Sequence, residues 1–351
     1  MPGPLDRVDE FQRRHVAAGF PIGVIYKYAD DQGAYLAAVV TYYAFIAIFP
    51  LLLIASSVLG FVLQGNTKLQ GEVLTSALSQ FPIVGSQLGQ PEGLTGSTSA
   101  VVLGSLTALY GVLGLGQAAQ NAVNVVWAVP RNSRLNPLLA RLSSLLLLVL
   151  AGLTVLAVTV LTSVVSHVDR FGPDFVRGLG WLLTLTSIAL NAAVLAAMMR
   201  LATTQRQSFV SSLPGALLVA VFWQVLQSLG GSYVNHVVAR ASQVNGTFAL
   251  VLGLLALIYL ASAVAVIGLE VNVVLARRLF PRALLTPFTD AVRLTDADQR
   301  VYAAYARAQR HKGFQQVRVS FAPGDDEPVR RDVPDGERPA EAAPPVHGGG
   351  S

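Results

Sequence analysis

Long apolar segments alternate with short polar ones along most of this chain. Crossing the hydrocarbon core of a membrane takes about 20 mainly apolar residues, because a helix rises only about 1.5 Å per residue. Six segments reach that length, and stretches rich in Pro, Gly, Asn and Ser separate them: residues 34–63, 99–121, 138–166, 179–199, 210–230 and 247–275. The pattern predicts an all-α, polytopic membrane protein, a bundle of six transmembrane helices.

The remaining segments are predicted to lie outside the membrane. In residues 1–33, apolar side chains recur at near-helical spacing, which favours a short helix lying at the membrane interface. The loop over 64–98 contains a moderately apolar stretch that favours an interfacial hairpin. A cytoplasmic segment is predicted over 276–321, and it includes a predicted helix at 296–310. Residues 322–351 are rich in Pro, Gly, Asp, Glu and Arg, a composition typical of disorder.

Composition supports lipid as the solvent of residues 34–275. The chain is 53% hydrophobic and only 13% charged, about half the charged share of a soluble domain. The charged residues crowd towards the two ends, so the middle lacks the polar groups that would cover a soluble surface. Cys is absent, which excludes disulfides and thiolate metal sites.

The distribution of Lys and Arg predicts the orientation in the membrane. Counted as far as Arg282, twelve of these residues fall near the ends of the six predicted spans on one side, and four fall on the other side. Cytoplasmic loops carry the excess of positive charge. We therefore expect a plasma (inner) membrane protein with both termini in the cytoplasm. The basic residues are scattered over short loops, so nucleic acid is not an expected partner.

Several short motifs resemble the YihY/virulence factor BrkB family over about residues 15–282. The matching stretches are AAVVTYYAF at 37–45 followed by FPLLL at 49–53, VNVVW at 123–127, LPGA at 213–216 with Trp223, Tyr233, Gly246, and GLEVN at 268–272. Two positions depart from the family pattern: Asn245 stands where Tyr is usual, and Leu257 stands where Trp is usual.

The resemblance implies a six-helix inner-membrane fold and leaves the function open. Some members of the family carry an old ribonuclease BN label, and others are named for virulence or serum resistance. Others are discussed as exporters of lipid-like envelope precursors.

Glu270 is the leading candidate for a functional side chain. An ionisable group in or near a membrane span is costly and often marks a transport pathway. Glu270 would act as a protonation switch, with Asn272 and Asn124 supplying hydrogen bonds nearby. The alternative is that Glu270 lies at the cytoplasmic end of the last span and forms a structural ion pair with Arg277 or Arg200.

Two further positions suggest a polar or broken path through the bundle. Pro50 removes a backbone hydrogen bond within the first span, two turns after Tyr43, and a broken helix can expose carbonyl groups to a solute. Gln120 and Asn124 lie on one polar stripe of the second span. Both features have a structural alternative, in which Pro50 sets packing geometry and the stripe forms hydrogen bonds between helices.

These residues favour a transporter or flippase of a lipid or amphiphilic, envelope-related solute, with membrane lipids as partners. The alternative is a non-transporting membrane scaffold for envelope assembly that docks a cytoplasmic partner on its C-terminal tail; a homo-oligomer is compatible with either. No histidine pair or acidic cluster has the spacing of a metal site, so ribonuclease activity is not expected, and neither is a cofactor.

Overall fold

The computed structural model describes residues 4–62, 98–165, 173–205, 207–233, 243–289 and 292–321. Within these ranges the protein is all-helical and contains no strand, which confirms the all-α part of the predicted fold class. The predicted interfacial hairpin and the predicted tail over 322–351 lie outside the described residues.

Each of the six predicted spans coincides with one long helix. The described part of the chain forms nine α-helices and one 3-10 turn at Arg131–Ser133; the α-helices are α1 (Pro4–Arg14), α2 (Val16–Asp30), α3 (Gly33–Val62), α4 (Thr98–Val126), α5 (Pro137–Val165), α6 (Pro173–Leu201), α7 (Phe209–Tyr233), α8 (Gln243–Arg277) and α9 (Asp296–Ala308). The helix predicted over 296–310 corresponds to α9.

Four helices of the described chain contain apolar stretches long enough to cross a membrane. These stretches are Pro137–Thr154, Thr184–Leu201, Phe209–Gln227 and Val251–Arg277, and α3 contributes a shorter apolar stretch at Gly33–Ile48. The described side chains of α4 include two glutamines and two asparagines, which lower its hydropathy. Four crossings therefore have direct support, and the count of six stays a prediction.

The long helices pack in chain order. Each of α3 to α7 contacts the helix that follows it, and α8 returns to pack against α3 and α4. The outward faces are apolar: Leu146, Val149 and Leu153 of α5 are exposed, and so are Trp181 and Leu185 of α6. A soluble monomer rarely exposes such contiguous apolar surface, so these faces fit a lipid environment.

Helices α7 and α8 make a very close crossing at two glycines. A Cβ atom on Gly215 would lie 1.8 Å from the carbonyl oxygen of Gly268, and a Cβ atom on Gly268 would lie 2.8 Å from the carbonyl oxygen of Gly215. No side chain fits at either position. Small residues allow helix backbones to approach in this way inside membranes.

The two ends of the described chain pack together beside the bundle. We call helices α1 and α2, the segment 278–289 and helix α9 the terminal assembly. The backbone N–H of Leu284 donates to Oδ1 of Asp9 over 3.0 Å, and the Tyr26 hydroxyl donates to the Leu284 carbonyl over 2.6 Å. The amide of Gln12 donates to the Arg282 carbonyl. Because α2 also packs against α8, the terminal assembly is fixed to the membrane bundle.

Candidate functional site

Glu270 is fully buried, with 0% of its surface exposed, and lies one to two turns before the end of α8. Its Oε2 lies 3.6 Å from Nζ of Lys27 in α2, at ion-pair distance. Neither carboxylate oxygen of Glu270 has a hydrogen-bond partner among the described residues. A buried carboxylate normally has such partners, so the hydrogen-bonding capacity of this side chain is unsatisfied within the described structure.

Lys27 is shared between two acidic groups. It is 2% exposed, forms an ion pair with Asp31 one helical turn later, and donates from Nζ to the Val126 carbonyl of α4 over 3.0 Å. The Tyr305 ring of α9 lies below its ammonium, with the centroid 5.2 Å from Nζ. We call Lys27, Asp31, Glu270 and Tyr305 the Lys27 cluster.

The Lys27 cluster carries an excess of negative charge. One lysine faces two carboxylates, and Oδ1 of Asp31 also lacks a hydrogen-bond partner among the described residues. Burial raises the pKa of the Tyr305 phenol above its ordinary value, and the carboxylate of Asp31 raises it further. Tyr305 therefore stays a neutral proton donor beside this site. The arrangement can take up one proton without acquiring a net positive charge.

The ion-pair partner of Glu270 is not one of the two arginines that the sequence suggested as a structural alternative. Lys27, rather than Arg277 or Arg200, is the described cation within ion-pair distance of Glu270. Arg277 instead donates to the Trp127 carbonyl over 2.9 Å and lies 5.4 Å from the centre of the Trp127 ring.

Asn272 braces the close crossing of α7 and α8. Its Oδ1 accepts the backbone N–H of Gly215 over 2.7 Å, and its Nδ2 donates to the Ser212 carbonyl over 3.1 Å. Asn124 accepts a long hydrogen bond, 3.4 Å, from the Thr203 hydroxyl. Asn272 therefore bonds to helix α7 and Asn124 to the segment that follows α6, and neither bonds to the carboxylate of Glu270.

Gln120 joins α4 to α5. Its amide donates to the Ala140 carbonyl over 2.9 Å and to Oγ of Ser144 over 3.0 Å, in a buried position. Gln117 and Asn121 on the same helix are exposed. The contacts of Gln120 agree with the structural alternative, hydrogen bonding between helices.

Tyr43 and Pro50 lie on α3 and are not members of the Lys27 cluster. The Tyr43 ring contacts Tyr42 edge-on at 5.1 Å between centroids and approaches Tyr110 of α4 at 5.8 Å. Gly114 packs so closely on Tyr43 that an added Cβ would overlap the ring. The helix continues through Pro50 as far as Val62. Tyr43 thus takes part in the packing of α3 on α4.

A second charged group, centred on Arg282, holds the terminal assembly together. Arg282 is fully buried and pairs with Asp298 at the start of α9 and with Asp30, at 2.9 Å, at the end of α2. Burial alone would lower the pKa of Arg282, but the hydrogen bonds to both aspartates outweigh it and raise that pKa. Asp298 also closes a capping box with Thr295. The group fixes the position of α9, and with it Tyr305.

The amino-acid sequence alone did not identify four residues of these two charged groups as site residues: Lys27, Asp31, Arg282 and Tyr305. In the sequence, Lys27 and Arg282 contributed only to the count of basic residues that predicts the membrane orientation. The spacing of four between Lys27 and Asp31 was the available signal for a helical ion pair. Among the described residues, no group of three or more His, Asp or Glu side chains is arranged to hold a metal ion.

The helical bundle, its apolar outer faces and its buried ion cluster define a helical membrane protein. The sequence model of one family, described as Virulence factor BrkB, matches residues 24–290. That match covers well over half of the chain, so the protein belongs to the BrkB family, as the motif resemblance predicted. No curated protein and no solved structure matches the chain.

Proposed function

We propose that this protein is a proton-linked transporter or flippase for a lipid or amphiphilic, envelope-related solute, and that it is not an enzyme. The observation that carries the proposal is Glu270, a fully buried carboxylate that faces Lys27 across a helix interface and has no hydrogen-bond partner in the part of the chain that the structure describes. Ionisable groups inside membrane helices are costly, and they mark proton relays and substrate paths in pumps and transporters.

The charge of the Lys27 cluster gives the proton a role. With both carboxylates ionised, Lys27 balances only one of them, so the cluster holds one uncompensated buried charge. One bound proton removes that charge and weakens the attraction between Lys27 and Glu270. Because this attraction joins α2 to α8, protonation changes how tightly the terminal assembly holds the bundle.

The groups that set this proton affinity come from two elements: α2 with its C-terminal end, and α9. Lys27 and Asp31 approach from α2 and its end, and Tyr305 approaches from α9; Tyr28 of α2 also lies within electrostatic range of Glu270. The helices that pack on α8 from the membrane side, α3, α4 and α7, contain no Asp, Glu, Lys or Arg. Helix α8 is therefore the element that transmits the change to the bundle.

The membrane orientation in this proposal is inner-membrane with both termini in the cytoplasm. The excess of Lys and Arg on the side of the two termini supports it. The direct contacts between α1, α2 and the segment after α8 support the placement of both ends on one side of the membrane. The Lys27 cluster would then take up its proton from the cytoplasmic side.

Lipid translocation in proteoliposomes tests the proposal. A panel of labelled envelope lipids is followed with and without a pH gradient for the wild type, Glu270→Gln and the matched control Glu10→Gln. Glu10 is exposed on α1 and pairs only with Arg14 among the described residues. We expect the wild type and Glu10→Gln to move a lipid at a gradient-dependent rate. Glu270→Gln is expected to lose that dependence.

Two results would contradict the proposal at different points. Wild-type rate and gradient dependence in Glu270→Gln would rule out the protonation switch while leaving transport intact. A wild type that moves no lipid of the panel would overturn lipid transport. A scaffold that docks a partner on residues 322–351 would then be the better explanation, and deletion of that tail would be its test.

A further inference from the structure

A pocket of about 450 Å³ opens beside the Lys27 cluster, between the terminal assembly and the loops that follow α4 and α6. Four cationic side chains line it: Lys27 from α2, Arg277 from the end of α8, and Arg300 and Arg307 from α9. None of the described residues that line it is acidic. We propose that this pocket binds the phosphate group of an anionic amphiphile.

The balance of charge in the pocket favours an anion. Lys27 is paired with Asp31 and Glu270, but Arg277, Arg300 and Arg307 form no ion pair with any acidic group of the described residues. Arg277 and Arg307 lie close enough to act on each other as like charges. A bound anion replaces that repulsion with attraction, which a cavity with low-dielectric walls strengthens.

Two of the guanidinium groups are held in position by the backbone. Arg277 donates to the Trp127 carbonyl over 2.9 Å, and Arg300 donates to the Arg278 carbonyl over 2.6 Å. A guanidinium carries five N–H donors, so each of these bonds orients the group and leaves other donors for a ligand. The planar fork of arginine matches phosphate oxygens in a bidentate way.

The remaining lining indicates an amphiphilic ligand rather than a bare ion. Leu279, Val301 and Ala304 form an apolar part of the wall next to the arginines. The volume suits a headgroup or a small phosphorylated molecule, since ligand sites typically measure about 300–1,000 Å³. A phosphate would contact the arginines while its attached carbon groups contact this apolar wall.

As a statement about the transported cargo, the inference rests on the proposed function; as a statement about binding, it stands without it. Isothermal titration calorimetry on the purified full-length chain in a non-ionic detergent separates the two. Two probes distinguish the sources of the phosphate group: inorganic phosphate and dioctanoyl phosphatidic acid. We expect saturable binding of both, and tighter binding of the lipid because it also contacts the apolar wall.

The variant Arg307→Gln tests the site itself, with Arg318→Gln as the matched control. Arg307 lines the pocket, whereas Arg318 is an exposed arginine beyond α9 and does not. We expect Arg307→Gln to weaken binding of either probe about tenfold or more, the usual loss for a charge-assisted hydrogen bond. Arg318→Gln should bind like the wild type. Equal thermal melting of the two variants shows that Arg307→Gln has not unfolded the assembly.

The possible results distinguish a free phosphate from a phosphorylated lipid as the ligand, or rule out the pocket as a binding site. Binding of phosphate without the lipid would assign the pocket to a free phosphate and overturn the amphiphile. No binding of either probe, or an equal loss in Arg318→Gln, would overturn the pocket as a site. A wild type that translocates lipid but fails to bind either probe leaves the proposed function intact and disproves only this inference.

Discussion

The ammonium of Lys27 lies 3.6 Å from the carboxylate of Glu270, and this pair connects α2 of the terminal assembly to α8 of the membrane bundle. Both side chains are almost completely buried. Lys27 also contacts Asp31 and the carbonyl of Val126 at the end of α4. The side chain of Lys27 thus connects α2 to the ends of two long helices, α4 and α8.

Replacing Lys27 with Met should strongly destabilise the protein. The variant leaves Glu270 and Asp31 buried without a counter-charge, and breaking a buried pair in this way costs about 3–5 kcal/mol. Chemical unfolding in detergent, followed by tryptophan fluorescence, measures the loss. The exposed Lys312 provides the control, since Lys312→Met should be close to neutral.

The double variant Lys27→Met with Glu270→Gln separates the pair from the rest of the cluster. Because it removes one stranded charge, it should be more stable than Lys27→Met alone. A double-mutant cycle gives the coupling between the two residues. Strict additivity of the two single effects would show that Lys27 and Glu270 do not interact in the folded protein.

Substitution at the glycine crossing should separate α7 from α8. Gly215→Ala places a methyl group 1.8 Å from the Gly268 carbonyl oxygen, so the helices must move apart, at a cost of about 1–3 kcal/mol for overpacking. Gly152→Ala on α5 is the matched control, because no atom of the described residues lies within 4 Å of its added Cβ. That control should be neutral or stabilising by up to about 1 kcal/mol, since Ala favours helix. Equal melting temperatures for the two variants would contradict the close crossing.

The long helices and one residue of the Lys27 cluster, Glu270, could be predicted from the sequence. Long apolar runs predict α3 to α8, because a chain segment in lipid must hydrogen-bond all its backbone polar groups within itself, and a helix does so. Glu270 stood out because an acidic residue in such a run is unusual. The motifs around Gly215 and Gly268 carried the family resemblance, and the structure adds that these two glycines touch each other.

The partners of Glu270 could not be predicted from the sequence, for a physical reason. Lys27 reaches Glu270 only because α2 folds back against the end of α8, and no local pattern encodes that contact. Arg282 looked like one more loop arginine that orients the chain. Its burial between Asp30 and Asp298 depends on the packing of α2 and α9, which are far apart in sequence. Tertiary packing, rather than composition, turned these cations into structural and candidate functional residues.

The two asparagines of the candidate site should differ in their effect on stability. Asn272→Leu removes two buried hydrogen bonds, to the N–H of Gly215 and to the Ser212 carbonyl, each of which contributes about 0.5–1.5 kcal/mol. Asn124→Leu removes only a 3.4 Å contact with the Thr203 hydroxyl and should cost less. Thermal melting in detergent ranks the two variants. A larger loss in Asn124→Leu would show that Asn272 does not brace the crossing of α7 and α8.

Alkaline pH should loosen the terminal assembly, and Tyr305→Phe should reduce that effect. Burial raises the pKa of Tyr305 above its ordinary value of 10.0. Above that pH the unfolded chain loses the phenolic proton while the folded chain keeps it. The folded state then binds more protons, so its stability falls as pH rises. Burial also raises the pKa values of Tyr26 and Tyr28. Part of the alkaline loss of stability should therefore remain in Tyr305→Phe.

Melting temperatures recorded from neutral pH to above pH 10 measure this effect. Tyr305→Phe should show a shallower alkaline decline than the wild type and near-equal stability at neutral pH, because its hydroxyl has no hydrogen-bond partner among the described residues. The exposed Tyr35 gives the control, as Tyr35→Phe should follow the wild-type curve. Identical alkaline slopes for Tyr305→Phe and the wild type would contradict the burial of this phenol.

Glu270→Gln should increase the affinity of the basic pocket for an anion. Lys27 belongs both to the Lys27 cluster and to the pocket wall, so the carboxylate of Glu270 and a bound phosphate compete for one ammonium group. Removing the carboxylate ends part of that competition. We expect inorganic phosphate to bind about fivefold more tightly or better, at the lower end of typical coupling between two sites.

The same coupling must operate in reverse, because linkage between two binding equilibria is reciprocal. An anion that attracts Lys27 leaves Glu270 and Asp31 less compensated, so its binding favours uptake of a proton by the cluster. Calorimetry with phosphate on wild type, Glu270→Gln and Glu10→Gln measures the forward effect, with Glu10→Gln expected to match the wild type. Unchanged affinity in Glu270→Gln would show that the pocket and the buried carboxylate act independently, and a proton could not then be coupled to the anion through Lys27.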